Sequence, residues 1–240
     1  MTMHFQHSPE IWRDFPELVA GAMLVDRISA DASVAAPVTG LCAVAAGRLA
    51  TGSEGEFAEV QAWRRAFSRM GLKPTQYRCA AEALLRRYRK EGSLPSLHPL
   101  INLCNAASLA FAIPVAAFDV AHISGDLEVR HATGDETYLT FTGATEHPEP
   151  GEVIFADSAG QAHARRWTNR QSGASAVRDT TTTALIVAEA LHDTAARDVR
   201  ALQAALVDAL KAVWPVIPVT AVLTQSAPAL TIEPTRPSST

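Results

Sequence analysis

The chain has 240 residues, 48% of them apolar and 19% charged, with a formal net charge of −4. That length holds one large domain or two small ones, and the composition is that of a folded protein rather than a disordered one. A negative balance excludes a surface coated throughout for nucleic acid. Three widely spaced cysteines, Cys42, Cys79 and Cys104, without a Cys-x-x-Cys pair suggest neither a zinc site nor a disulfide framework. The opening MTMHFQHSPEIWRDF lacks the apolar run of a secretory signal, and the longest apolar stretch is broken by Asn105, Ser108 and Pro114. No membrane association, metal or cofactor is expected, and a reducing cytoplasm is the expected setting.

In chain order, Leu18 to Ile28 predicts a core strand, and Val38 to Leu49 a short Ala-rich helix. TGSEGE at 51–56 is a break in which Ser53, with Glu56 three residues on, suits a helix N-cap. The helix that follows runs to about Met70, with Phe57, Val60, Trp63 and Phe67 at core-facing spacing. Ala80 to Lys90 predicts a second helix with Leu84 and Leu85 inward, and a third spans about Leu97 to Phe111 before Pro114. From Gly125 the period changes to two, with strands expected at 127–131, 138–142, 152–157, 162–167 and 183–188. Asp193 is the expected N-cap of a helix reaching about Val213, and the Pro-, Ser- and Thr-rich remainder, 215–240, is expected as an extended or flexible tail. The pattern is α+β: helices first, then a mainly antiparallel sheet packed with helices, in one domain over 1–214.

Three segments carry chemistry. NLCNAASLAFAIPVAAFD places Asn102 and Asn105 on an apolar helix, followed by Asp119, and a buried amide must find partners. Trp63 to Lys90 holds nine Arg and Lys residues against Glu82 alone, a footprint suited to phosphate, with Arg86, Arg87, Arg89 and Lys90 as the candidate RNA contacts. Arg78 and Glu82, four apart, read as a structural ion pair. HARRWTNRQS gathers Arg165, Arg166 and Arg170 with Trp167; on a strand Arg165 and Arg166 face opposite sides, so one reaches inward, and a guanidinium suits a carboxylate or phosphate. An edge strand protected by charge, with a structural Trp, is the plainer alternative.

In order along the chain, NLCN with PVAAFD, GDLEVRHATGDE, PGEVIFAD and SAVRDTTTTALIVA resemble the tRNA-editing B3/B4 module of the phenylalanyl-tRNA synthetase beta subunit, over about Tyr77 to Ala190. ARRWTNRQS resembles freestanding relatives of that module. The resemblance implies the B3/B4-like fold and a cytoplasmic protein that binds the aminoacylated 3′ end of tRNA, with hydrolysis of a mischarged ester as the reaction such a module carries out. It implies Asn105 as a pocket residue, with Arg165, Arg166, Arg170, Trp167 and Asp119 around the substrate; no catalytic residue is assigned. Cys104 stands where the family usually has Thr, Ala116 where the synthetases have His, and Ile186, or a position beside it, where they have a Glu that selects tyrosine. Tyrosine selection is therefore not expected. With no aminoacylation core, the chain is not a complete synthetase. A non-catalytic protein binding an amino acid, a nucleotide or another small amino-acid-like ligand is the alternative.

Overall fold

The computed structural model describes residues 2–232. An N-terminal strand, β1 (Met3–His7), leads through a short helix, α1 (Pro9–Asp14), to β2 (Val19–Val25). Four helices follow: α2 (Ala35–Thr51), α3 (Ala58–Arg69), α4 (Ala80–Glu91) and α5 (Pro99–Phe111). Then come β3 (Val115–Asp119), β4 (Leu127–His131), β5 (Thr137–Leu139), β6 (Thr145–Glu146), β7 (Val153–Asp157), β8 (Gln161–Arg165), β9 (Arg170–Gln171) and β10 (Ala184–Ala190). Helix α6 (Ala195–Val213) and strands β11 (Val219–Leu223) and β12 (Ala229–Ile232) close the described chain.

The fold is α+β with two sheets rather than one. The larger runs β12-β1-β4-β7-β8-β5-β6, with β9 pairing β8; the smaller runs β11-β2-β10-β3 and is antiparallel throughout. Among the described residues parallel pairing occurs only between β1 and β4 and between β5 and β8. Strand β10 explains the layering, because every residue in it is buried. Leu185 and Val187, with Phe118 of β3, face the larger sheet against Phe155 and Val129. Ile186 and Ala188 face the helices, against Leu103 and Cys104 of α5 and Val199 and Leu202 of α6. Strand alternation thus makes one strand the wall of two cores, which is why it reads as an unbroken apolar run. At Gly21 of β2 a Cβ would come within 2.8 Å of Val199 Cγ1, so only glycine lets α6 approach. The Gln203 amide of α6 uses that closeness to donate to Ala22 O at 3.1 Å and Ala221 O at 3.0 Å.

Several element boundaries differ from the sequence reading for local reasons. Ser53 and Glu56 do meet, the Ser53 N–H donating to Glu56 Oε2 at 2.8 Å, but they close a 3-10 turn at Glu54–Glu56, and α3 starts beyond Phe57. The N-cap of α6 is Thr194 rather than Asp193. The strand expected at 138–142 stops at Leu139, because Gly143 donates to Thr140 O in a turn that needs its φ of 87°. Residues 219–232 supply an edge strand to each sheet; 233–240 lie outside the described residues. Helix α5 ends where Ala112 turns left-handed and Ser108 Oγ donates to Ile113 O at 2.7 Å, just before Pro114.

Candidate functional site

The site is built where β3 and β10 of the small sheet meet the turn after β8. Arg166 and Trp167 both have positive φ, 47° and 57°. Two successive left-handed non-glycine residues are strained and need outside support. Support comes from Arg166 N–H to Glu152 Oε1 at 2.8 Å, Trp167 N–H to Val153 O at 2.7 Å and Asn169 N–H to Arg166 O at 3.1 Å. The turn swings the Trp167 ring inward, edge-on to Trp63 at 5.0 Å and to Phe15 at 4.7 Å.

Glu189 of β10 receives that ring. Trp167 Nε1 donates to Glu189 Oε1 at 2.9 Å, and His7 Nε2 of β1 lies 2.7 Å from the same oxygen. Trp63 Nε1 reaches the Glu189 backbone carbonyl at 3.3 Å. The side chains of His7 and Glu189 are 0% and 3% exposed. A carboxylate this deep persists only with donors supplied to it. With Glu189 ionised, His7 Nε2 carries the proton, and its buried Nδ1 has no partner among the described residues. Both donors take Oε1, and Glu189 also lines a cavity beside them.

That cavity has a volume of about 70 Å³, and its wall includes Ala116, Trp167, Thr168, Arg170, Gln171 and Glu189. Thr168 Oγ1 is buried with no partner among the described residues. The remaining polar groups of the wall are used internally: Gln171 Nε2 donates to Ala117 O at 2.7 Å and Asn169 Nδ2 to Arg78 O at 2.8 Å. The cavity therefore sets the Glu189 carboxylate and Arg170 in a mostly apolar lining, with the Thr168 hydroxyl buried behind its surface.

The residues singled out from sequence fall in different places. Trp167 and Arg170 line this cavity. Arg170 leans over Tyr138 at 5.3 Å and pairs with Glu146 at 3.1 Å. Arg166 stacks over Tyr77 at 4.9 Å. Arg165, only 4% exposed, is clamped by Glu152 and Glu146 at 2.8 Å each, and these ion pairs raise its pKa further. It serves the wall of the larger sheet rather than a ligand. Asp119 accepts from Thr181 Oγ1 at 2.7 Å and Ala121 N–H at 3.0 Å, capping a 3-10 turn at Val120–His122.

Asn105 does not share a pocket with these residues. It lines a separate groove of about 800 Å³ between α2, α5 and the 92–97 loop, with Val38, Tyr88, Leu94 and Asn102. The expected single pocket is thus two. Helix α4 runs between them, with Ala80 at the first and Tyr88 and Gly92 at the second. Twelve residues of rise separate these ends by about 18 Å. Asn102 is spent on its own loop, accepting from Leu97 N–H at 2.8 Å. Burial pushes the thiols of Cys79 and Cys104 up to about 12, so neither is a nucleophile at neutral pH.

The basic run of α3 and α4 is also less bare than its sequence. Glu82, 1% exposed in its side chain, pairs with Arg64 at 2.7 Å and Arg78 at 3.5 Å. Buried Glu54 takes Arg89 at 2.9 Å and Arg86 at 3.5 Å, Arg87 pairs with Glu91 at 2.9 Å, and Arg69 pairs with Glu17. Three of these acids, Glu17, Glu54 and Glu91, lie outside the 63–90 window. Among the described residues Arg65, Lys73 and Lys90 are the cations of the run without an ion-pair partner.

The sequence reading missed His7, Thr168 and Glu189. Glu189 had a signal: one carboxylate in ALIVAEA, a strand otherwise without polarity, is either paired or functional. It places a carboxylate beside the cavity, which Ile186 does not supply. Ile186 faces the helices, whereas Glu189, an odd number of residues on, faces the cavity. A second buried chain, Ser175 Oγ to His163 Nδ1 at 2.8 Å and His163 Nε2 to Asp157 Oδ2 at 3.2 Å, has the members of a hydrolase triad. Ser175 and His163 are 0% exposed, so no substrate reaches the hydroxyl and the chain is structural.

The profile of the B3/4 domain family matches residues 62–206, well over half of the chain, and the protein belongs to that family. It is similar to the phenylalanine–tRNA ligase beta subunit of Cereibacter sphaeroides, 33% identical over 76 residues, which is 32% of this chain and 9% of that protein. It is likewise similar to that of Shewanella oneidensis, 26% identical over 88 residues, 37% of this chain and 11% of that one. The aligned stretch thus spans about a tenth of each relative's length. A solved N-terminal fragment of the phenylalanyl-tRNA synthetase beta subunit from Pyrococcus horikoshii superposes with a TM-score of 0.48 at 10% identity, covering 89% of this chain and 49% of that one. Among the described residues no helix is long and apolar enough to cross a membrane.

Proposed function

We propose that the chain binds the aminoacylated 3′ end of a tRNA in the cytoplasm and hydrolyses the ester, with the amino acid's side chain in the Glu189 cavity. The observation that carries this reading is Glu189, a carboxylate in the wall of a small, mostly apolar cavity, its Oε1 held by His7 and Trp167. A buried acceptor awaits a donor, so the side chain bound there carries a hydroxyl or amine. The cavity of about 70 Å³ is roughly half the 150 Å³ that holds a benzene ring, so the side chain is short. Neither phenylalanine nor tyrosine enters without displacing Trp167 or Arg170.

Ala116 supplies no base where the synthetases carry His. An aminoacyl ester is already activated, however, and a positioned water with backbone donors for the oxyanion suffices in chemical principle. Arg170 and Arg166 at the turn are suited to the terminal phosphates. Arg86, Arg87, Arg89 and Lys90 of α4 are the proposed contacts to the RNA backbone, Arg87 being the most readily exchanged because an exposed pair of this kind is worth little. A second reading, a non-catalytic binder of a free amino acid or nucleotide, is favoured by the neutralisation of most of the basic run. Deacylation of a panel of mischarged tRNAs by the purified protein and by Glu189→Gln tests both. Release of short, hydroxyl-bearing residues that the substitution abolishes supports the first reading. No release, with binding of the free amino acid, supports the second.

A further inference from the structure

The small sheet has two edges, and the fold treats them differently. The β3 edge is covered: Ala117 O accepts from Gln171 Nε2 at 2.7 Å and Asp119 N–H donates to Ser175 O at 2.9 Å. The β11 edge has no partner on its outer side among the described residues. Natural edges are commonly blunted by lysines, prolines within the strand or bulges. Strand β11, VTAVL, has none of these, and no charged residue occurs anywhere from Ala212 to Ile232. Ile217 beside it is 84% exposed and its own Val219 is 51% exposed, two of the five large apolar residues exposed among the described residues.

We propose that β11 pairs antiparallel with β11 of a second copy, joining two four-stranded sheets into one eight-stranded sheet across a twofold axis. The strand is self-complementary in register. An axis through Ala221 sets Val219 opposite Leu223 and Thr220 opposite Val222 of the copy. In β11 itself Ala221 and Leu223 pack on the core between the sheets, so the pairing extends the apolar layer on each side of the axis. Val219, now half exposed, is covered by the copy's Leu223. With no charge on either strand, two identical edges meet without repulsion, and a charged partner finds nothing to attract it. A five-residue ladder of about 17 Å buries less than the roughly 800 Å² per partner of a standard interface, so the dimer is a weak, concentration-dependent one.

The test is sedimentation equilibrium of the full chain from about 1 to about 100 µM, with dissociation in the micromolar range expected. The double variant Val219→Lys/Thr220→Lys puts like charges on both sides of the axis and should weaken association at least about tenfold with an unchanged melting curve. Ile217→Asp, at a site too exposed to affect folding, should weaken it also, while Val44→Lys on the distant, exposed face of α2 should not. Amide exchange in 219–223 should slow as concentration rises. A protein that stays monomeric to the top of the range overturns the proposal, as does a dimer that both β11-side variants leave intact.

Discussion

Replacing Glu189 with Leu removes the acceptor shared by His7 Nε2 and Trp167 Nε1 and orphans two buried donors. Each unsatisfied donor costs about 1–3 kcal/mol, which sums to about 2–6 kcal/mol. Removing a buried charge returns part of this, so a net loss of about 2–4 kcal/mol is expected. For a chain of this size that lowers Tm by roughly 4–16 °C. Glu189→Gln keeps an oxygen at Oε1 and should lose about half as much. His7→Leu leaves the carboxylate without one donor, and the double variant His7→Leu/Glu189→Leu should be more stable than the two single effects predict, by about 0.5–3 kcal/mol. Urea unfolding followed by far-UV circular dichroism is the assay, because Trp167 fluorescence would report the local change directly. A Glu189→Leu variant within about 1 kcal/mol of the wild type, or strict additivity of the two single changes, would refute the claim that this pair organises the cavity.

Arg86→Ala with Arg89→Ala strips buried Glu54 of both partners and should destabilise the protein by about 1–2 kcal/mol, discounted because both arginines are half exposed. With folding verified by melting, Arg86→Ala/Arg87→Ala/Arg89→Ala should also weaken tRNA binding and flatten its salt dependence; an unchanged slope would remove the phosphate-contact reading. Burial alone would raise the Glu136 pKa, but hydrogen bonds from Thr133 and Gly134 N–H and from Arg130 outweigh it and hold the carboxyl at about 2, below its ordinary 4.5. A depressed pKa contributes stability that is complete above the unfolded value and is lost as pH falls through the folded one. Glu136→Gln should therefore flatten the acid limb of stability between about pH 5 and pH 2, and an unchanged limb would count against that network. Asn105→Ala should leave binding at the Glu189 cavity unchanged, since Asn105 lines the other groove.

The helices α3, α4 and α5 and the strands β4, β7, β8 and β10 were legible because each carries its own period or its own terminator. Strand β1 was not, since MHFQH is short and its partners, Leu127–Val129 and Ala229–Ile232, are more than 100 residues away. Strands β11 and β12 were hidden for a similar reason: their apolar residues sit among prolines and gain meaning only from the sheets they border. At the site, the segment carrying Trp167 and Arg170 stood out by composition. Its inward turn did not, because two adjacent left-handed residues follow from Glu152 and Val153 across the strand rather than from anything local. Glu189 was passed over because the position matching the synthetases' Glu was set at or beside Ile186, an odd offset that exchanges one face for the other. The basic run looked bare because its counter-charges, Glu17, Glu54 and Glu91, come from outside the window.

Selection of the aminoacyl group of a charged tRNA by the Glu189 cavity is tested most simply by comparing seryl and alanyl esters on tRNA. Deacylation rates of the wild type and of Glu189→Gln are measured under single-turnover conditions. The wild type should release the hydroxyl-bearing residue faster, by about tenfold or more, with that preference lost in Glu189→Gln. Equal rates for the two esters, or a preference that survives the substitution, would contradict it.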